Sequence, residues 1–297
     1  MQNARDPYMN SHPNTPAGFP AQSQQTQPGS EKMMNPAPAV DNPNYKASGK
    51  LMNKVAIITG GDSGIGRAIA IAFAKEGADV LIAYYSEEED ANETLNMVQN
   101  AGRRCVLVKC DLKDETSSKK VVNTAITEFG HIDILVNNIA VQYPQNSIED
   151  ITSEQLNNTF ATNVLSYFYM TKAVLPHLSC GSSIINTTSV TAYAGSPTLI
   201  DYSATKGAIV SFTRSLSLSL AQNGIRVNAV APGPVWTPLI VSSMNEQDVA
   251  KFGSDVPFGR AAQPFEIAPA YVYLASDDSA YMSGQVLHIN GGVITAS

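Results

Sequence analysis

Three features of the sequence predict an α/β fold, a parallel sheet covered by helices. Short apolar runs such as Val55-Ala56-Ile57-Ile58 and Val80-Leu81-Ile82-Ala83 have the length and composition of strands buried on both faces. From Leu51 onward such runs alternate with longer helical stretches, and that alternation is the mark of parallel strands joined by helical crossovers. A glycine-rich turn, Gly60-Gly61-Asp62-Ser63-Gly64-Ile65-Gly66, sits between the first such strand and the first such helix.

The first 47 residues stand apart. Eight of the 17 prolines fall there with Gln and Asn tracts, and Val40 is the only Val, Leu or Ile. A segment of that composition buries too little apolar surface to offset its ordering entropy. It is expected to be a disordered arm, or one ordered only by draping over the folded body or a neighbouring subunit. The folded domain is expected over residues 51–297.

Within that domain the first strand spans 54–59, and after the glycine turn a helix runs to Lys75. Residues 79–84 form a second strand. The acids Glu87-Glu88-Glu89-Asp90 then read as the solvated first turn of a helix, where they complement the helix dipole. A third strand covers 105–109, a helix 113–129 and a fourth strand 132–136. A helix begins over 152–160 and a long one covers 161–178, its aromatics serving core or subunit-interface contacts. The run 183–189 reads as a buried strand that ends in hydroxyls. The next helix carries Tyr202 and continues through Ser215-Leu216-Ser217-Leu218-Ser219-Leu220, despite the strand-like alternation there, because no turn intervenes before Asn223-Gly224. Strand 225–231 ends in Pro232-Gly233-Pro234, and 236–264 has no clean period, as lids and binding loops often do not. A helix over 264–276 and a strand over 284–292 complete the chain.

Composition narrows the function. An apolar fraction of 43% with 15% charged residues is that of a globular chain with a large core. A net charge of −7 and a pI near 5.1 argue against nucleic-acid binding through the general surface field. No apolar run approaches the roughly 18 residues of a membrane span, and no basic-then-apolar leader opens the sequence, so a cytoplasmic location is expected. Cys105, Cys110 and Cys180 lack the spacing of a metal or redox pair and read as reduced core thiols. The four histidines are scattered, and no metal site is assigned.

The chemistry concentrates in two places. Glycines at a strand-to-helix junction let the backbone approach a pyrophosphate, and the helix start offers free N–H groups and a positive dipole end. This points to Gly60, Asp62, Ser63, Gly64, Ile65 and Gly66 as a dinucleotide cradle. The next strand ends in Tyr84, Tyr85 and Ser86, which supply neither the acid that grips ribose hydroxyls nor a base for a 2′-phosphate. The acids that follow would repel a 2′-phosphate, so NAD is favoured modestly over NADP. Asp111, with Leu112 beside it, reads either as an acceptor for the adenine amino group or as the N-cap of the next helix. Asn138 and Ala140, at the end of the fourth strand, could line the cofactor ribose.

The second place is Tyr202 and Lys206. Four residues apart on a helix, their Cβ atoms lie roughly 5–6 Å apart on one face. A cation there favours the phenolate and pulls the tyrosine toward neutral operation as a proton donor and acceptor. Ser189 lies at a strand's carboxyl end, where open α/β sheets place their ligands. Asn163, an amide inside an apolar helix, needs partners, and backbone groups could satisfy it.

Taken together these motifs resemble the short-chain dehydrogenase/reductase family, and the likeness runs from residue 51 to the end. It rests on Thr59 to Gly66, Asn137-Asn138-Ile139-Ala140, Asn163, Ser189, Tyr202 with Lys206, and Pro232-Gly233. The sequence is most similar to the bacterial glucose/ribitol dehydrogenase-like branch, whose members carry a long polar N-terminal extension.

The resemblance implies a Rossmann-type, doubly wound domain with a seven-stranded parallel sheet flanked by helices on both faces. It implies NAD or NADP as cofactor and an alcohol or carbonyl substrate of the sugar, polyol or aldehyde class. Tyr202 would be the general acid/base, Lys206 would depress its pKa and hold the nicotinamide ribose, Ser189 would bond the substrate oxygen, and Asn163 would anchor a water. Pro232, Gly233, Val235 and Thr237 would complete the cofactor contacts, and a homotetramer would form through the helices around Asn163 and Lys206. Where the family has Asn-Asn-Ala-Gly this chain has Asn-Asn-Ile-Ala, which alters the surroundings of the nicotinamide. A 3-oxoacyl-thioester reductase using the same residues, and a nucleotide-binding scaffold or sensor without turnover, are the alternatives.

Overall fold

In a computed structural model, which describes residues 18–295, seven strands form one sheet. They are β1 (Val55–Thr59), β2 (Asp79–Tyr84), β3 (Cys105–Lys109), β4 (Ile134–Asn137), β5 (Ser183–Thr187), β6 (Arg226–Pro232) and β7 (Val286–Ile289). Their order across the sheet is β3-β2-β1-β4-β5-β6-β7, and every adjacent pair is parallel. The order reverses between β1 and β4. A crevice opens at such a switch point, outside the carboxyl ends of the strands.

The helices are α1 (Gly64–Lys75), α2 (Glu88–Asn100), α3 (Glu115–Phe129), α4 (Ser153–Phe160), α5 (Ser166–Val174), α6 (Thr191–Ala194), α7 (Ile200–Leu220), α8 (Pro238–Val241), α9 (Glu246–Lys251) and α10 (Pro264–Ala275). Alternate strand residues feed two cores. Ile58, Ile82 and Val136 meet Ile69 and Phe73 of α1 and Ile267 and Tyr271 of α10. Ile57, Leu81 and Leu135 meet Val121, Val122 and Ala125 of α3 and Met170 and Val174 of α5 on the other face. Burial on both sides explains why the strands read as unbroken apolar runs.

Several local expectations are corrected. The helix expected from residue 113 starts at Glu115, and its cap is Asp114, whose side chain accepts from Thr116 N; Asp111 is not the cap. The acids that open α2 are not all solvated, since Asp90 is buried against Arg67. The long helix expected over 161–178 is interrupted: a π turn, Ala161–Leu165, precedes α5, and a 3₁₀ turn with Pro176 follows it. The stretch 236–264 contains α8 and α9. Cys180 is exposed rather than in the core. The alternating Ser-Leu segment is helical, with Leu218 facing outward and Leu220 inward, and the left-handed Gly224 at φ 71° closes the following turn.

Residues 18–47 of the arm lie against the body. The Phe19 ring stacks on Trp236 at 3.6 Å, the indole Nε1 donates to Pro36 O at 2.9 Å, and Met34 joins the same small core beneath α8. Further on, the Tyr45 hydroxyl bonds Glu76 Oε1, and the Ser48 and Lys50 amides donate to Glu76 Oε2. These partners are polar or far apart in sequence, so no local period announces them. The part of the arm before residue 18 lies outside the described residues.

Trp236 is the only tryptophan in the chain and is fully buried under Phe19, so its fluorescence reports arm docking. Phe19→Ala is expected to shift Trp236 emission to the red and to raise its quenching by acrylamide at least twofold; the quenching constant of variant against wild type checks this.

Candidate active site

The carboxyl ends of β1, β2, β4, β5 and β6 open onto a cleft of about 990 Å³. Its floor is the glycine turn. Gly60 and Gly64 take positive φ of 63° and 52°, a region costly for residues with a Cβ. A Cβ on Gly66 would lie 1.9 Å from Gly60 O, so only glycine lets α1 start this close to β1. Asn138 joins three strand ends: its Nδ2 donates to Gly60 O (3.2 Å), its amide N–H donates to Thr59 Oγ1 (2.9 Å), and its Oδ1 accepts from Thr187 Oγ1 (3.2 Å). On the far wall, a Cβ on Gly233 would lie 2.7 Å from Asn290 Cα, which keeps the turn after β6 pressed onto the chain after β7. A narrow, backbone-lined cradle at a helix start fits a dinucleotide pyrophosphate.

Helix α7 delivers Tyr202 and Lys206. Asp201 fixes the start of α7, accepting at Oδ2 from Gln155 Nε2 (3.1 Å) and Thr159 Oγ1 (2.8 Å) of α4. Lys206 is buried, and its Nζ donates to Thr187 O at 2.9 Å and lies 5.5 Å from the centre of the Tyr202 ring and 5.8 Å from that of Tyr167. Burial pulls the Lys206 amine down to about 7. Burial also pushes the Tyr202 phenol up to about 12, against a hydrogen bond with Ser189 that lowers it. Ser189 Oγ in turn accepts from Thr191 N and Thr191 Oγ1, both at 3.1 Å. With its lone pairs taken, the Ser189 proton is turned toward Tyr202 and the cleft.

In the protein by itself the Tyr202 phenol is raised, because burial outweighs the hydrogen bond from Ser189 that lowers it. Desolvation acts on both groups and disfavours the charged form of each. An amine brought down to about 7 is in addition only partly charged at neutral pH, which weakens its pull on the phenol.

A profile of the family described as Enoyl-(Acyl carrier protein) reductase matches residues 60–294. The chain belongs to the short-chain dehydrogenase/reductase family. It is similar to the glucose and ribitol dehydrogenase of Daucus carota, 54% identical over 93% of this chain and 97% of that one. It is also similar to the NADPH-dependent aldehyde reductase 1, chloroplastic, of Arabidopsis thaliana, 51% identical over 92% and 97%. Among solved structures, a short chain dehydrogenase from Burkholderia cenocepacia J2315 in complex with NADP superposes with a TM-score of 0.77 at 29% identity, covering 82% of this chain and 98% of that one. A short chain dehydrogenase from Mycobacterium paratuberculosis bound to NAD gives 0.75 at 31%, again over 82% and 98%. The chain is an NAD(P)-dependent dehydrogenase/reductase.

In this enzyme the cleft gathers most of the residues singled out from sequence. Gly60, Asp62, Ser63, Gly64 and Ile65 line it together with Tyr84, Tyr85, Asp111 and Leu112 toward one end, and Asn138, Ala140, Ser189, Tyr202, Lys206, Pro232, Gly233, Val235 and Thr237 along the rest. Three residues are elsewhere. Gly66 packs beneath the turn, and Ser86 is exposed and donates to Glu87 Oε1 at 3.1 Å. Asn163 lies behind the cleft: its Oδ1 accepts from Val141 N (2.8 Å) and its Nδ2 donates to Val141 O (2.9 Å) and Thr205 Oγ1 (3.1 Å). Its side-chain amide is therefore occupied by the Val141 backbone and Thr205.

Sequence reasoning missed Thr191, the hydrogen bonds of the Tyr167 hydroxyl and the residues by which the arm is fastened. Tyr167 is fully buried, and its hydroxyl lies 3.2 Å from both Ile139 O and Thr187 O, tying the chain after β4 to the end of β5. Only the short Ser189-x-Thr191 spacing, suited to a hydroxyl turn, offered a signal.

Lys206 sets a pH signature. Its ordinary pKa of 10.5 falls to about 7 in the folded state, so between those values the unfolded chain holds the extra proton and the stability owed to this group rises with pH. Denaturant melts of wild type and Lys206→Met across pH 7 to about 10 are expected to diverge, the wild type gaining stability relative to the variant as pH rises; parallel curves would refute the lowered amine.

Proposed function

We propose that the enzyme moves a hydride between NAD and an alcohol or carbonyl substrate of the sugar, polyol or aldehyde class, with Tyr202 as the proton donor and acceptor. The observation that carries this is the convergence of Tyr202, Ser189 and Lys206 on the cleft beside the glycine turn. When bound, the dinucleotide supplies or accepts the hydride. The protein's part is to position the substrate and to move the proton.

In the reducing direction Tyr202 OH gives its proton to the oxygen that develops negative charge; in the oxidising direction it takes one from the hydroxyl. Ser189, its lone pairs occupied by Thr191, donates to the same oxygen and orients it. Lys206, held by Thr187 O, stands ready to gain charge and stabilise the phenolate. Gly60, Asp62 to Ile65, Asn138, Ala140 and the Pro232 to Thr237 wall would hold the dinucleotide.

Charge favours NAD. Asp62 lines the cleft and is buried, which raises its carboxyl to about 6. The cations near that end have acidic partners: Arg67 has Glu31, Asp90 and Glu93, Lys109 has Glu88, and Lys113 has Asp111. A 2′-phosphate would meet acids there. The NADPH dependence named for the Arabidopsis relative is the competing case. Acyl-thioester reduction remains a second reading, supported by the description of the matched family.

A cytoplasmic homotetramer fits the reading. Leu165 and Phe168 are partly exposed beside α7, and Phe168 packs against Phe212 at 4.2 Å, an apolar face suited to a second copy. No helix among the described residues is long and apolar enough to cross a membrane.

Tyr202→Phe is expected to lower turnover on alcohols or aldehydes by at least about 100-fold while dinucleotide binding persists; near-normal turnover would reject the role. NAD is expected to raise the melting temperature more than NADP at equal concentration, and the reverse order would overturn the cofactor preference.

A further inference from the structure

The arm is not confined to the outer surface. Gln24 N donates to Val241 O at 2.6 Å, at the end of α8. Gln27 pairs with the backbone of Gln142, its Nε2 donating to the carbonyl (2.7 Å) and its Oε1 accepting from the amide (3.3 Å). Gly29 is pressed against α8, where a Cβ would fall 2.7 Å from Pro238 O. Gln27, Pro28 and Gly29 line the same cleft as Gly60 and Ser63. The crossing ends at Glu31, which is buried: Oε2 accepts from Gly64 N at 2.6 Å and Oε1 from Arg67 Nη1 at 2.5 Å. The Glu31 amide also donates to Asp90 Oδ2 at 2.8 Å. One short segment is thus fastened to the region after β6, to the chain after β4 and to the glycine turn.

A carboxylate suits that last point of attachment. The first amides of a helix lack intrahelical acceptors and its dipole favours an anion there, while Arg67 supplies a countercharge. A segment tied to both banks of a cleft, with side chains facing inward, encloses whatever lies below it.

We propose that residues 24–31 are a strap that closes the cleft over the bound dinucleotide, with Glu31 as its latch to the glycine turn, so that the arm sets how long the cofactor is held. The inference rests on reading this cleft as the dinucleotide site. Glu31 is a positioning residue, acting through Gly64 and Arg67. Gln27 closes the middle of the span.

The test uses the full-length chain as wild type, Gln27→Ala and Glu31→Ala. The release rate of NADH, and separately of NADPH, is read by stopped-flow displacement of nicotinamide fluorescence, with melting temperatures measured alongside. Release is expected to accelerate about tenfold in both variants, the scale of a lost charge-assisted contact for Glu31 and of two lost neutral hydrogen bonds for Gln27, while the melting temperature of Gln27→Ala stays within about 2 °C of wild type. Unchanged release in both variants overturns the strap, even if Glu31→Ala melts earlier, because the arm is then only a brace. If Glu31→Ala does not fold, Gln27→Ala decides alone. A wild type that binds neither dinucleotide removes the reading of the cleft itself, and the strap with it; a wild type that binds while its variants release at the same rate removes only the strap.

Discussion

Helix α7 meets the end of β5 through both ends of one residue. Lys206 donates from Nζ to Thr187 O at 2.9 Å, and its own carbonyl accepts from Thr188 Oγ1 at 2.7 Å. These contacts fix the distance between the helix that carries Tyr202 and the strand end that leads to Ser189. They also hold the amine buried at the wall of the cleft. Burial then acts on the acid and the base alike, bringing the amine down and the phenol up. The phenol is thereby kept uncharged beside an amine that is only partly charged, a state from which a small electrostatic change can move a proton.

What surrounds the pair serves that constraint. Thr191 occupies the acceptor positions of Ser189, Tyr167 braces the carbonyl that holds Lys206, and Asp201 pins the first turn of α7 to α4. Asn163 belongs to this supporting set, since its amide fastens Val141 and Thr205 together behind Lys206. Such supporting contacts hold functional side chains to the tolerance their chemistry needs.

The sheet and the central site were legible because their signals are local. Apolar runs marked the strands, the glycine turn marked the cradle, and the four-residue step from Tyr202 to Lys206 needed only a helix to bring the pair together. The Ser-Leu alternation after Tyr202 misleads by period, and the absence of a turn signal before Asn223-Gly224 was the better guide. The partners of the arm were opaque for the converse reason. Glu31 meets Gly64 and Arg67 across more than 30 residues, and Gln27 meets Gln142 across more than 100, so neither leaves a periodic trace. The direction of the Tyr202 shift was also hidden, because spacing reveals a neighbouring cation but not how far both groups are withdrawn from water.

The most direct test of this account is the titration of Tyr202 itself, followed by ultraviolet difference absorbance of wild type against Tyr202→Phe, with and without oxidised dinucleotide. The account predicts a phenol near 12 in the protein alone, falling by about two units or more when the cationic nicotinamide lies beside it. A phenol that titrates at its ordinary value of 10.0 in the protein alone and does not respond to the dinucleotide would contradict it.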